Sequence, residues 1–218
     1  REIHYGYKET DTLGGKDPYS ASKACAEIVT TAYRESFFSP KSRYLTGIAS
    51  ARAGNVIGGG DWATDRLVPD AMRSFELGQP LTIRNPDATR PWQHVLDPLS
   101  GSLTLCEKLW TEPKQFSGSW NFGPQPDGIT TVGSLIDLVT KCYGAGAKWQ
   151  SATPNSEFPE AKYLRLDTTK ANTELKWTPQ WTLNQTVYNT VDWYKSYQTG
   201  SNMRSISSQQ LDNYVSLA

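Results

Sequence analysis

"DPYSASKACAE", residues 17–27, sets Tyr19 four residues ahead of Lys23 where the surrounding pattern opens a helix. Asp17 is a preferred N-cap type, and Pro18 suits the first helical turn. Ala21, Ala24, Cys25, Ile28, Val29 and Ala32 then recur at helical spacing, which predicts a helix over 18–38. Residues four apart share one helix face, so the phenol and the ammonium are neighbours there. The bare spacing decides little, because eleven tyrosines and twelve lysines make it common by chance. An ordinary helix start with a solvated lysine fits it as well as a catalytic pair does.

Working outward from this helix, strand and helix patterns alternate to the end of the chain. The stretch "YLTGIASARAGN" (44–55) reads as a buried strand running into a glycine turn. "RLVPDAMRSFELGQ" reads as a helix ended by Gly78, and "LTIRN" as a short strand. A helix over about 94–110, the strand "GSWNFGP" (118–124) and a helix over 132–143 follow. The strand "AKWQSA" (147–152), a short helix near 168–176 and a last helix over 183–197 complete the order. This alternation predicts an α/β protein rather than segregated layers.

Composition narrows the function classes. Twenty-two basic residues balance twenty-two acidic ones, so no global charge favours nucleic acid or an anionic membrane. No stretch approaches the ~20 apolar residues of a membrane span, and the polar opening "REIHYGYKETD" is not a signal peptide. A chain that opens without methionine, in a loop, reads as a fragment of a longer protein. Cys25, Cys106 and Cys142 are widely spaced outside any metal-ligand pattern, which reads as buried free thiols of a cytoplasmic protein. His4 and His94 lie ninety residues apart in no ligand cluster, so no metal site is expected; His94 reads as a residue that caps or packs at its helix start. "GNVIGGGD" (54–61) is rich in glycine but does not match G-x-G-x-x-G leading into a helix, so the usual dinucleotide fingerprint is absent.

Four stretches in order, "DPYSASKACAE" (17–27), "ARAGNVIGGGDWATDRLVPD" (51–70), "RPWQHVLDPLSGSL" (90–103) and "WNFGP" (120–124), together with "EAKYLRLDTTKANTELKWTPQWTLNQ" (160–185), carry a likeness. The chain resembles the extended short-chain dehydrogenase/reductase, or NAD-dependent epimerase/dehydratase, family over nearly its whole length. Within that family it is most similar to the 4,6-dehydratases that act on CDP-glucose, on the strength of "GNVIGGGDW…DRLVPD" and "RPWQHVLDP". The Tyr-x-x-x-Lys pair is common to the whole superfamily. The resemblance implies the C-terminal part of a Rossmann-like doubly wound parallel sheet, residues 1–55 with returns near 90–123. It also implies a smaller α/β domain for a nucleotide sugar over 56–89 and 124–218. Members begin with a glycine-rich NAD-binding unit. They also carry a Thr-Ser-Asp-Lys-like segment, with the triad Ser/Thr and the elimination acid–base pair, that this chain does not contain.

The resemblance further implies a redox cycle in which NAD is not consumed. A 4-keto sugar forms, water leaves across C5 and C6, and hydride returns to C6. Tyr19 and Lys23 would be the catalytic pair and would also meet the nicotinamide ribose. An unperturbed phenol is a poor base at neutral pH, and a neighbouring cation favours its phenolate. Asn55, in the turn after the strand, Arg66, at a helix start, Arg90, before Pro91, and Asn121 are the candidate substrate anchors. A guanidinium fork matches phosphate geometry; Arg90 lies where related enzymes place a diphosphate arginine. Relatives often carry a second such arginine before "YLRLD", where this chain has Glu157, Glu160 and Lys162, and the face taken by Arg165 is not readable. The helix after Tyr19 commonly pairs with its copy, and Ile28, Val29, Ala32 and Phe37 would supply an apolar stripe for a homo-oligomer, a dimer or tetramer. Another nucleotide-sugar epimerase or dehydratase, and a non-catalytic nucleotide-sugar-binding protein, remain as alternatives.

Overall fold

The helix that carries the Tyr–Lys spacing forms as its sequence dictates. In this computed structural model, which describes residues 5–15, 17–39, 41, 46–144, 146–153 and 162–217, α1 spans Pro18–Phe37. The Asp17 carboxylate accepts from the Ser20 amide at 2.9 Å and from the Ser20 hydroxyl at 2.6 Å. This satisfies one of the amides that the first turn leaves without partners. Only Ala24 of α1 is buried. The helix is tied to the sheet instead by Glu27, which takes Arg52 Nε at 2.8 Å and Arg52 Nη2 at 2.9 Å.

Seven short strands form three sheets among the described residues. β1 (Ala49–Ala53) runs parallel to β5 (Gly118–Phe122), in register from Ala49↔Gly118 to Ala53↔Phe122. β2 (Asn55–Ile57) runs parallel to β4 (Thr89–His94), and β4 pairs antiparallel with β6 (Ile129–Thr131). β3 (Leu81–Ile83) runs parallel to β7 (Trp149–Ser151). The helices between them are α2 (Leu67–Glu76), α3 (Leu96–Thr111), the single turn α4 (Pro113–Phe116) and α5 (Val132–Tyr143); α6 (Leu183–Gln198) and α7 (Met203–Val215) follow β7. Parallel pairs require crossover connections, and α3 lies within the one from β1 to β5. The α/β class expected from alternation is the class observed.

Several local expectations differ from the structure. The stretch 44–55 is not one buried strand. Within its described part, β1 stops at Ala53 and the chain changes partner from β5 to β4 across Gly54. A Cβ on Gly54 would lie 2.7 Å from the Pro91 ring, so the switch needs glycine. β1 is only half-buried because small alanines line it and Ala51 and Ala53 face solvent. Residues 89–94 form a strand, and the helix expected from 94 begins at Leu96. Pro91 disguised that strand in the sequence, since proline is confined to strand edges and ends. The thiols are free as expected but not buried: Cys25 and Cys106 are exposed and Cys142 is half-buried. The two helices turn Ala24 and Leu105 inward instead. The short helix near 168–176 appears as a π-helical turn, Ala171–Leu175, and α7 had no counterpart in the sequence reading.

Among the described residues, two apolar cores hold these elements. One packs Val68, Met72 and Phe75 of α2 against Leu135 and Val139 of α5 and Val187 and Val191 of α6. The other lies under β5, where Trp120 and Phe122 meet Leu105, Phe116, Leu175 and Trp177. Fully burying a side chain of this size contributes about 2–3 kcal/mol, so the two aromatics of β5 anchor that strand. Gln93 joins the cores by donating from Nε2 to the Phe122 carbonyl at 3.0 Å.

Candidate active site

Helix periodicity and the Asp17 cap bring Tyr19 and Lys23 together on one open face. The Lys23 ammonium stands 5.6 Å from the centre of the Tyr19 ring, within the range of a cation–π contact. Tyr19 is 72% exposed, so its hydroxyl is accessible to a ligand. One turn further along α1, Glu27 is lined up by Arg52, by Ser50 Oγ at 2.7 Å and by Ser119 Oγ at 3.3 Å. Hydrogen bonding from Arg52 holds the Glu27 carboxyl below the usual range, and the same bond raises the guanidinium. This bidentate pair fixes α1, and with it the Tyr19–Lys23 face, against β1 and β5.

The four proposed anchors divide. Asn55 pairs with Trp92 across β2 and β4, and Arg90 lies two residues before Trp92 on the same strand. Alternation therefore places Asn55 and Arg90 on one face of that sheet. Arg90 is half-buried, and its Nη1 donates to the Thr89 carbonyl at 2.9 Å. Arg66 is the N-cap residue of α2, with no side-chain cap bond of its own. Its side chain is 64% exposed, and Nε stands 3.9 Å from Asp61 Oδ2, leaving the fork open to an anion. Asn121 is different: it is 1% exposed, and Nδ2 donates to the carbonyls of Tyr7 at 2.9 Å and Asp167 at 3.2 Å. Its backbone amide donates to Glu9 Oε1 at 2.9 Å. Asn121 thus ties the 5–9 and 166–168 segments to β5, and its Oδ1 is buried without a hydrogen-bond partner among the described residues.

A cleft of about 440 Å³ lies where these segments meet. Tyr5, Pro91, Pro124, Arg165, Asp167 and Asn172 are among its lining residues, so Arg165 faces this cleft. His4, Glu157 and Glu160 lie outside the described residues. Among the described residues no group of three potential metal ligands occurs, and no helix is long and apolar enough to cross a membrane. His94 packs at its helix start: it is 2% exposed, its Nδ1 accepts from the Leu96 amide at 3.3 Å, and its ring lies 4.4 Å from that of Trp181.

The glycines of "GNVIGGGD" serve packing. A Cβ on Gly59 would fall 2.0 Å from the Trp193 ring, so the loop seats directly on α6. Sequence reasoning missed two sets of supporting residues. Arg73 and Tyr194 grip the loop that leads to Arg66, and Glu27 with Arg52 braces α1. An Asp70–Arg73 spacing of three was the local trace of the first; the second joins residues 25 apart and left none.

Residues 4–121 match the model of the NAD dependent epimerase/dehydratase family. The chain is 47% identical to CDP-glucose 4,6-dehydratase of Salmonella typhimurium over 99% of its own length and 60% of that protein. It is 24% identical to dTDP-glucose 4,6-dehydratase of Escherichia coli over 86% of its length and 50% of the relative. It therefore spans only about half to three-fifths of these curated relatives. Its fold resembles that of dTDP-glucose 4,6-dehydratase from Bacillus anthracis, solved in complex with NAD, with a TM-score of 0.72 and 20% identity over 90% of this chain and 57% of that one. UDP-glucose 4-epimerase from Thermotoga maritima, solved with UDP-glucose, gives 0.73 at 20% identity, covering 91% and 60%. With more than half of its residues inside the family model and the Tyr–Lys pair standing on one open helix face, the chain belongs to the NAD dependent epimerase/dehydratase family.

Proposed function

We propose that this chain supplies the Tyr–Lys pair and the sugar-nucleotide-binding part of an enzyme that converts CDP-glucose to CDP-4-keto-6-deoxyglucose with the net loss of water. The observation that carries this reading is the exposed Tyr19 side chain with the Lys23 ammonium 5.6 Å from its ring centre. The likeness to the Salmonella typhimurium enzyme supplies the substrate. The residues present fit the nicotinamide end of NAD, since a phenol and an ammonium stand side by side on an open face. NAD, when bound, supplies a hydride acceptor for oxidation at C4 and a hydride donor for reduction at C6.

The positive charge of Lys23 favours the phenolate of Tyr19, which takes the proton of the C4 hydroxyl and becomes the neutral phenol. Arg90 and Arg66 bind the diphosphate through charge-assisted bonds, and Asn55 offers its amide on the same sheet face as Arg90. Residues 1–55 with 90–123 form the part nearest the nicotinamide, and 56–89 with 124–218 the nucleotide-sugar part. Asn121 acts by holding their junction. The apolar face of α1 pairs with a second copy.

The test uses the full-length protein incubated with CDP-glucose and NAD, with the product followed by mass spectrometry as the loss of one water. Tyr19→Phe is expected to lower turnover by about 10²–10⁴-fold. Turnover that survives the change overturns the role of Tyr19. Activity confined to another nucleotide sugar overturns the CDP assignment.

A further inference from the structure

Three consecutive carbonyls in the loop between β2 and α2 are held by two side chains, one from α6 and one from α2. Tyr194 of α6 donates its hydroxyl to the Asp61 carbonyl at 2.6 Å. Arg73 of α2 donates Nη1 to the Trp62 carbonyl at 3.2 Å and Nη2 to the Ala63 carbonyl at 3.1 Å. Arg73 is itself paired with Asp70 on the same helix. Below the loop, Gly59 lies against Trp193, and the Trp62 ring sits 4.9 Å from Tyr197 and 5.3 Å from Tyr194. Three residues beyond the last gripped carbonyl comes Arg66, whose fork is open. Between them Asp65 adopts a left-handed backbone with φ of 60°, a conformation that persists only where the surroundings impose it. Burial pushes the Tyr194 phenol up to about 12, so it stays a neutral donor at any working pH.

Building on the reading of Arg66 as a diphosphate anchor, we infer that Arg73 and Tyr194 are positioning residues that set this guanidinium by clamping the 61–63 backbone from α2 and α6. Neither side chain needs to touch the substrate. Their effect passes through three carbonyls and the strained Asp65 to the helix start that carries Arg66. Pre-orientation of this kind acts on binding rather than on the chemical step, because the reacting C4 to C6 atoms are handled elsewhere.

A double-mutant cycle in the full-length protein, with CDP-glucose as the varied substrate, tests the clamp. Arg66→Ala alone is expected to raise KM. Tyr194→Phe keeps the ring in the core and removes only the donor, and Arg73→Gln serves as a second variant on the half-exposed side of the loop. Each is expected to raise KM by about threefold to tenfold, the effect of one hydrogen bond, with kcat unchanged. In the Arg66→Ala background neither should raise KM further, since the group they position is gone. Equal effects in both backgrounds, or a loss of kcat without a change in KM, overturn the clamp and leave the anchor standing. An unchanged KM in Arg66→Ala alone overturns the anchor and the clamp with it. A purely structural role for Tyr194 would lower the thermal midpoint without any dependence on residue 66.

Discussion

At the scale of single residues, His94 shows what burial does to a titratable group. The imidazole accepts the Leu96 amide on Nδ1, so its proton resides on Nε2, which is buried without a partner among the described residues. Protonating Nδ1 would break that bond and place a charge among Trp181 and the core. Burial accordingly pushes the group down from 6.5 to about 3. Between those values the unfolded chain binds a proton that the folded chain refuses, so stability rises with pH through this window and falls on acidification from about 6.5. The limiting slope is about 1.4 kcal/mol per pH unit. His94→Gln is expected to flatten the dependence of the thermal midpoint between pH 7 and pH 5; a midpoint profile identical to wild type would refute the assignment. Glu27 follows the same sign in a more acidic window. The lowered Glu27 carboxyl contributes above its ordinary 4.5, and that contribution is lost as pH falls through the folded value.

At the scale of elements, α7 illustrates how a polar helix is docked by a few side chains. Its buried residues are Gln210 and Tyr214. The Tyr214 hydroxyl donates to Asp97 Oδ1 at 2.8 Å and lies 3.0 Å from Ser100 Oγ, while the Gln180 amide reaches the same Oδ1 at 2.8 Å. Asp97 is 0% exposed, and burial raises its carboxyl above the ordinary range. One acidic side chain at the start of α3 thus gathers the 178–181 segment and the C-terminal helix. Tyr214→Phe deprives this buried carboxylate of its side-chain donor and is expected to cost about 1–3 kcal/mol. Urea unfolding measures the loss, and hydrogen exchange should quicken first over 203–215. Unaltered exchange there would show that the ring against Trp181, at 5.3 Å, is what docks the helix.

At the scale of the whole molecule, the open apolar face of α1 bears on assembly. Ile28, Val29, Tyr33 and Phe37 are each more than half exposed, and Val29, Tyr33 and Phe37 follow one another at four-residue intervals down the helix. A stripe of this kind is costly to leave in water. Val29→Glu is expected to lower the sedimentation coefficient of the full-length protein toward that of the monomer, and an unchanged coefficient would remove α1 from the interface.

What the sequence determined by itself was local in origin. The Asp17 cap, the Pro18 start and the four-residue interval from Tyr19 to Lys23 lie within a few turns of one helix, where neighbours in sequence are neighbours in space. The periodicity of 132–143 and 183–197 was legible for the same reason. The tertiary structure alone decided the rest. Packing of Gly54 against Pro91 redirects the chain from one sheet to another, and an α/β alternation carries no trace of that. Asn121, plausible as a ligand in the sequence, is enclosed by Tyr7 and Asp167 because chain segments far apart converge on β5. Asp97 and Tyr214 are 117 residues apart, and Tyr194 reaches Asp61 across 133. Contacts at such separations depend on how the cores close, and residue types alone do not encode which donors and acceptors that closure leaves facing each other.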